Sequence, residues 1–159
     1  MPSDRVEFRR ADPDDFMQIA DLRWRLHTGD AEDFDLQERR RFVADFSRSR
    51  VAQDQFIHWV AVIGDRVIAT MAACRINKLP TPDKSSDGLG YLTNCYTMPE
   101  YRNKAVGSKL LAEVRRWALQ ENLELLVVWP SARSYPFYLR SGFERRSDPL
   151  VCELTPPNK

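Results

Sequence analysis

A mixed α/β fold, with helices packed on a sheet that contains one parallel strand pair, is predicted by three features of the sequence. Residues 91–129 follow the order strand, helix, strand, and two strands joined through a helix run parallel. Residues 56–76 contain two strand-like runs separated by a two-residue turn, which predicts an antiparallel hairpin. The chain has 159 residues, of which 43% are hydrophobic and 30% are charged. This length and composition suit one globular domain over residues 1–159.

The N-terminal segment predicts a short strand and then a helix. Residues 6–9 alternate in polarity, as strand residues do. Asp12 and Pro13 mark a helix start, because aspartate caps a helix and proline fits its first position. The apolar stripe of this helix comprises Phe16, Ile19, Leu22 or Arg23, and Leu26.

A second helix follows after the break at residues 28–30. We expect it to begin near Asp33 or Asp35 and to end near Ser49. The residues expected to face the core are Phe42, Val43 and Phe46.

The hairpin consists of strands over residues 56–63 and 66–76, with Gly64 and Asp65 in the turn. The segment 77–88 is rich in proline, serine and charged residues, which predicts a loop at the end of the sheet.

The strand–helix–strand unit begins with an extended run over residues 91–98, which Pro99 ends because it cannot donate to a sheet ladder. A polar turn over residues 100–108 leads into a helix over about 105–121. The apolar stripe of that helix comprises Val106, Leu110, Leu111, Val114 and Ala118. The continuous apolar run at 123–129 predicts a buried parallel strand.

The turn before this helix has the properties of an anion-binding site. The first N–H groups of a helix have no acceptor within the helix, and they form the positive end of its dipole. Small residues at Ala105, Gly107 and Ser108 allow a ligand to approach the backbone, and Arg102 and Lys104 add positive charge. Spacing alone leaves open an ordinary strand-to-helix turn.

The segment Arg102 to Gly107 reads R-x-x-A-x-G, which resembles the pyrophosphate-binding signature R/Q-x-x-G-x-G/A of the GNAT N-acetyltransferases. The resemblance is strong over residues 88–143. It departs from the family at Ala105, where the first glycine stands, and alanine adopts a positive φ only at a cost. The implied fold is a mostly antiparallel sheet with one parallel, splayed strand pair and helices on both faces.

A second motif lies further along the chain. P-F-Y-x-x-x-G-F, from Pro136 to Phe143, resembles the family's closing motif, in which the tyrosine is the usual general acid. The resemblance makes Tyr138 the catalytic residue, since a protonated phenol can donate to the departing coenzyme A thiolate. Packing of Tyr138 in the core is the structural alternative. Ser134 is expected to cap the short helix of this motif and Gly142 to end it in a left-handed conformation.

The resemblance also implies a set of binding residues. Those expected to bind acetyl-CoA are Tyr96, Thr97, Met98, Arg102, Asn103, Lys104, Ala105, Val106, Gly107, Ser108, Ser131 and Ser134. Those expected near the acceptor are Trp24, Arg25, His27, Phe34 and Asn94. Many family members carry asparagine and alanine where Ser131 and Ser134 stand. The base that takes a proton from the acceptor remains open among a glutamate, His58 and a chain of waters. The chain is expected to close with an antiparallel pair over residues 143–145 and 150–154.

Bulk properties argue against several other classes of protein. The net charge of +1 gives no reason to expect a nucleic-acid or membrane partner. No apolar run reaches the roughly 20 residues that a membrane span needs, and the N-terminus lacks the apolar core of a signal peptide. Two histidines and three scattered cysteines have no metal-ligand spacing. The cysteines fit free thiols of a cytoplasmic protein.

The sequence therefore predicts an acetyl-CoA-dependent N-acetyltransferase that acts on a primary amine, either a small molecule or a peptide. The alternative is a non-catalytic acyl-CoA-binding sensor or partner module on the same fold. The family also implies that a homodimer would be unsurprising.

Overall fold

The computed structural model describes residues 5–30, 35–83 and 88–155. The chain divides into two compact units, Met1–Val128 and Trp129–Lys159. The first unit holds the sheet and three helices, and the second holds one short helix. No helix among the described residues is long and apolar enough to cross a bilayer.

The sheet has five strands in the order in which they occur along the chain. They are β1 (Glu7–Arg10), β2 (Ile57–Ile63), β3 (Arg66–Asn77), β4 (Gly88–Thr97) and β5 (Leu126–Val128). The first four strands pair antiparallel, and β4 pairs parallel with β5. The mixed sheet with one parallel pair is thus confirmed. β4 continues to Thr97, well beyond its last pair with β5, which joins Leu92 and Val128.

Four α-helices accompany the sheet. They are α1 (Phe16–Thr28), α2 (Leu36–Arg48), α3 (Val106–Gln120) and α4 (Tyr135–Arg140). A 3-10 turn (Pro13–Asp15) leads into α1, with Asp12 at its N-cap in a reciprocal capping box with Asp15. Asp35 caps α2 by accepting hydrogen bonds from the N–H groups of Gln37 and Glu38. The helix start predicted at Asp12 is confirmed. Of the two alternatives predicted for the start of α2, the structure has Asp35, and Asp33 lies outside the described residues.

The helices cover both faces of the sheet. Neighbouring strand residues point to opposite faces, and on β2 His58 packs against Phe16 of α1 whereas Trp59 packs against Trp117 of α3. The core lies on both sides of β2 and β3 and includes Val60, Ile68 and Leu92.

Three expectations about the strands and α1 are wrong. β5 has three half-buried residues instead of a seven-residue buried run, because it is the last strand of the sheet and pairs on one side only. Leu26 is 37% exposed because it lies in the last turn of α1, beyond the buried stripe. Residues 143–145 and 150–154 form no strands: Leu150 is 98% exposed, and Pro149 cannot donate to a ladder.

Candidate functional site

A β-bulge in β4 organises the candidate site. Ala72 of β3 pairs with Thr93, and Thr70 pairs with Tyr96, so two β4 residues, Asn94 and Cys95, stand opposite the single residue between them on β3. Asn94 takes up the extra length in a left-handed conformation, with a φ of 54°. The bulge changes which face later residues occupy, because side chains alternate with a period of two. Tyr96 consequently faces the α1 side, where its hydroxyl donates to Asp30, just beyond the end of that helix.

A cavity of about 210 Å³ lies on the same face of the sheet, across β2, β3 and β4. We call it the sheet-face cavity. Its lining is Arg23, Phe46, Ser49, Val51, Ala52, Phe56, His58, Ala72, Tyr91, Thr93 and Asn94. Among the described residues, this lining contains one cation, Arg23, and no carboxylate.

His58 is buried in the wall of this cavity, with 6% of its surface exposed. Its Nε2 lies 2.6 Å from the carbonyl oxygen of Ala52. Because a carbonyl can only accept, Nε2 carries the hydrogen and Nδ1 presents a lone pair. Nδ1 has no hydrogen-bond partner in the described structure. Burial lowers the pKa of His58, the Ala52 contact opposes this effect, and the charge of Arg23 adds to it.

Asn94 and Arg23 form the polar end of the cavity. Arg23 donates from a terminal guanidinium nitrogen to Oδ1 of Asn94 at 3.4 Å. Nδ2 of Asn94 is buried and has no acceptor among the residues described. Arg23 forms no ion pair with any carboxylate in the described parts of the chain, so its positive charge is uncompensated there.

Arg102, the first residue of the R-x-x-A-x-G motif, is tied to the end of β4. Its Nε donates to the Thr97 carbonyl at 2.9 Å, and its terminal nitrogen pairs with Asp30 at 2.9 Å. Asp30 also accepts from Tyr96, and burial together with that hydrogen bond raises the pKa of Tyr96 to about 12. Arg102 therefore holds the motif against the end of α1, and its charge is largely neutralised by Asp30.

The start of α3 has the features expected of an anion cradle. Asn103 and Ala105 are left-handed, with φ of 62° and 60°. Ala105 is the N-cap residue and has no side-chain oxygen, so no side chain caps the helix. The first N–H groups, those of Val106, Gly107 and Ser108, have no acceptor inside the helix, and Lys104 beside them is exposed. This donor set fits a diphosphate.

Met98 and Thr97 complete the predicted cofactor segment. Met98 is buried, and its N–H donates to the carbonyl of Ile68 at 2.9 Å. The remaining predicted cofactor residues, Ser131 and Ser134, belong to the second unit.

In the second unit, Ser131 and Ser134 are hydrogen-bonded to each other. The hydroxyl of Ser134 donates to the Ser131 carbonyl at 3.0 Å, so it does not cap α4, contrary to expectation. Tyr138 is 5% exposed, and its ring contacts those of Phe137 and Phe143, with ring centroids 5.1 and 5.3 Å away. Gly142 follows α4 with a φ of 89°, as predicted.

The residues predicted near the acceptor are scattered. Asn94 lines the sheet-face cavity, but Trp24 packs on Phe42, and Arg25 pairs with Asp21 beside a different cavity. His27 is exposed on α1. Phe34 lies outside the described residues.

Arg23 was not among the predicted site residues, although the sequence contains a signal for it. Arg23 lies on the inward-facing, otherwise apolar stripe of α1. Charged residues are rare on such a stripe, so this position is itself a signal of a specific role. His58 was one of three alternatives for the base, and the structure distinguishes it through its unpartnered nitrogen.

Comparisons with known proteins agree with this architecture. An N-acetyltransferase of Archaeoglobus fulgidus, itself uncharacterised, is 25% identical over 130 residues, which cover 82% of this chain and 85% of the relative. A predicted acetyltransferase of Clostridium acetobutylicum, solved with acetyl-CoA, superposes with a TM-score of 0.75 at 23% identity, covering 94% of this chain and 97% of the other. An aminoglycoside N-acetyltransferase solved with CoA superposes with a TM-score of 0.70 at 17% identity, covering 95% of each chain. The sequence model of the acetyltransferase (GNAT) family matches residues 16–143, so the chain belongs to that family, as its two motifs predicted.

Proposed function

We infer that the protein is an N-acetyltransferase that moves an acetyl group from acetyl-CoA to a primary amine. The observation that carries this inference is the uncapped start of α3 behind two left-handed residues. A helix end whose donors no side chain satisfies is suited to a diphosphate, which coenzyme A contains. Membership of the acetyltransferase family supports the same chemistry.

The predicted cofactor residues fall into groups with different roles in this proposal. The N–H groups of Val106, Gly107 and Ser108 bind the diphosphate, with help from the left-handed turn at Asn103 and Ala105 and from the charge of Lys104. Main-chain groups of residues 96–98 pair with the pantetheine arm. Arg102 acts by holding the turn in place through Thr97 and Asp30. The hydroxyls of Ser131 and Ser134 supply further polar contacts.

Tyr138 is the proposed general acid, on the strength of its motif. The reaction forms a bond between the amine nitrogen and the acetyl carbon as the carbon–sulfur bond breaks. Proton donation to the departing sulfur lowers the cost of that step. A cytoplasmic location belongs to the same proposal and is supported by three free cysteines.

The first test is calorimetric titration of the protein with acetyl-CoA, together with the variants Ala105→Asp and Ala105→Gly. The Ala105→Asp protein should fold well, because aspartate is a favoured N-cap residue. Its carboxylate would accept hydrogen bonds from the first N–H groups of α3 and would repel phosphate. We expect wild type and Ala105→Gly to bind, and Ala105→Asp to bind at least about tenfold more weakly, a difference of roughly 1.4 kcal/mol. Absence of binding by wild type at millimolar ligand would overturn the cofactor assignment.

A second test separates an enzyme from an acyl-CoA sensor. Thiol release is followed with a panel of amines for wild type and for Tyr138→Phe. We expect kcat of the variant to fall by roughly 10²-fold with acetyl-CoA affinity and thermal midpoint close to wild type. A wild-type protein that binds acetyl-CoA and transfers acetyl to none of the amines would support the sensor.

A further inference from the structure

The sheet-face cavity contains polar groups that the fold leaves unsatisfied. Buried polar side chains in proteins nearly always have a hydrogen-bond partner, and an exception calls for an explanation. His58 and Asn94 are more than nine-tenths buried, and each has an unpartnered nitrogen within the described structure. Both line the same cavity.

The charge of the cavity limits what it can hold. Its lining includes the guanidinium of Arg23, which has no carboxylate partner among the described residues. A ligand with only ammonium groups would be repelled by this charge. A ligand with a carboxylate would neutralise it and could also accept from Nδ2 of Asn94, which already contacts Arg23 through Oδ1.

The lone pair on Nδ1 of His58 supplies a hydrogen-bond acceptor in the same cavity. Because Ala52 holds the Nε2–H tautomer, Nδ1 can only accept. The other charged or titratable groups lining the cavity are Arg23 from α1 and Tyr91 from β4, whereas α2, the turn Val51–Gln55 and β3 contribute none. An imidazole kept neutral by burial and by a nearby cation can accept a proton from an ammonium group.

We propose that the sheet-face cavity binds an acceptor that carries a carboxylate close to its amine, as an amino acid does. Arg23 and Asn94 bind the carboxylate, and Nδ1 of His58 is the base that takes the ammonium proton. The aromatic walls, Phe46, Phe56 and Tyr91, contact the apolar remainder of the acceptor. This proposal rests on the proposed acetyl transfer.

The protons balance in this scheme. The acceptor ammonium gives one proton to His58, which becomes an imidazolium, and the amine lone pair then attacks the acetyl carbon. As the carbon–sulfur bond breaks, the second proton lost by the nitrogen ends on the coenzyme A thiol. His58 then releases its proton to solvent. The products are an acetylated amine, coenzyme A and one proton.

The first experiment measures binding without turnover. The full chain, saturated with coenzyme A, is titrated with L-phenylalanine, L-phenylalaninamide and phenethylamine, and then with the corresponding methionine series. We expect the free acids to bind at least about tenfold more tightly than their amides or decarboxylated amines, as a charge-assisted pair predicts. Equal binding of all three forms, or no binding of either acid, would overturn the proposal.

Matched variants assign the selectivity to Arg23. Arg23→Met removes the charge and keeps a good helix former, and Arg40→Met makes the same change at an exposed position of α2. We expect Arg23→Met to abolish the preference for the acid and Arg40→Met to retain it. An unchanged preference in Arg23→Met would contradict the assignment.

The role of His58 is tested by the pH dependence of kcat/KM for the acid acceptor. His58→Gln keeps an N–H donor for the Ala52 carbonyl but has no titratable nitrogen. We expect wild type to lose activity below pH 6.5, since the pKa of His58 is lowered from that value. We expect kcat/KM of the variant to be at least about tenfold lower and to lack this loss of activity at low pH. Its affinity for the acid acceptor should stay within about threefold of wild type. A variant that keeps the loss of activity at low pH would show that His58 is structural.

The proposed acetyl transfer and the proposed carboxylate-binding pocket can be contradicted independently. Selective binding of the acids without acetyl transfer to any amine would contradict the enzymatic function but support the pocket. Efficient transfer to amines that lack a carboxylate would support the enzymatic function but contradict the pocket.

Discussion

Ala105 is a strained residue at the centre of the proposed cofactor site. Its φ of 60° lies in the left-handed region, where a Cβ costs about 1–2 kcal/mol. The resembling family has glycine there, which adopts this conformation freely but loses more entropy on folding. The strain is tolerated because the neighbouring residues are anchored: Arg102 is bound to Thr97 and Asp30, and Val106 is buried.

Replacing Ala105 with glycine should therefore stabilise the protein. We expect the free energy of unfolding to rise by about 0.5–1 kcal/mol in urea titrations. The control is Ala112→Gly, an exposed position inside α3, where the same substitution should cost about 1 kcal/mol. A loss of stability in both variants would contradict the strain at Ala105.

At the level of elements, α2 depends on its cap more than the other long helices do. None of its residues is buried, whereas α1 and α3 contribute buried residues to the core. Asp35 accepts from the N–H of Gln37 at 2.8 Å and from that of Glu38 at 3.3 Å. The cap also matters for the candidate site, because Phe46 of α2 lines the sheet-face cavity.

Removal of this cap should destabilise α2 measurably. We expect Asp35→Ala to lower the free energy of unfolding by about 1 kcal/mol. Asp45→Ala, on the same helix and paired with exposed Arg48, should change the free energy of unfolding by less than about 0.5 kcal/mol. Equal effects of the two substitutions would show that charge, and not capping, is responsible.

At the level of the whole molecule, a partly buried ion pair joins β1 to the 3-10 turn that leads into α1. Asp15 is 6% exposed and accepts from Arg9 of β1 at 2.7 Å. Burial by itself would raise the pKa of Asp15, but the hydrogen bonds from Arg9 and from the Asp12 N–H outweigh it, and the pKa is lowered.

This pair should make stability depend on pH on the acidic side. Because the folded pKa lies below the unfolded value of about 3.9, the contribution is complete above that value and is lost as the pH falls through the folded pKa. We expect Asp15→Asn to be about 1–3 kcal/mol less stable than wild type at pH 7. The difference should shrink below pH 4 in urea titrations.

The control for this effect is Asp14→Asn, one position earlier and exposed. We expect its stability to follow wild type across the same range of pH. A constant gap between wild type and Asp15→Asn from pH 7 to pH 2 would rule out the ion pair as the cause.

Local chemistry in the sequence determined the elements and their order from the first strand to α4. Asp12 and Asp35 start helical segments because their side chains accept from N–H groups two or three residues further along the chain. Gly64 turns a hairpin because it lacks a Cβ. The two motifs led to the family because each is a contiguous stretch of sequence that can be recognised without knowledge of its neighbours in the fold.

Only the tertiary structure decided the sheet-face cavity and the true extent of the last strands. Arg23, His58 and Asn94 come from three elements far apart in the chain, and the bulge at Asn94 sets the face that later β4 residues occupy. Apolar composition predicted a long final strand and a pair of antiparallel strands at the C-terminal end. A strand forms only where a neighbouring strand supplies hydrogen bonds, however, and that pairing depends on residues distant in the sequence. Which polar atom is left without a partner is likewise decided by the assembled fold, and these atoms identify the proposed acceptor pocket.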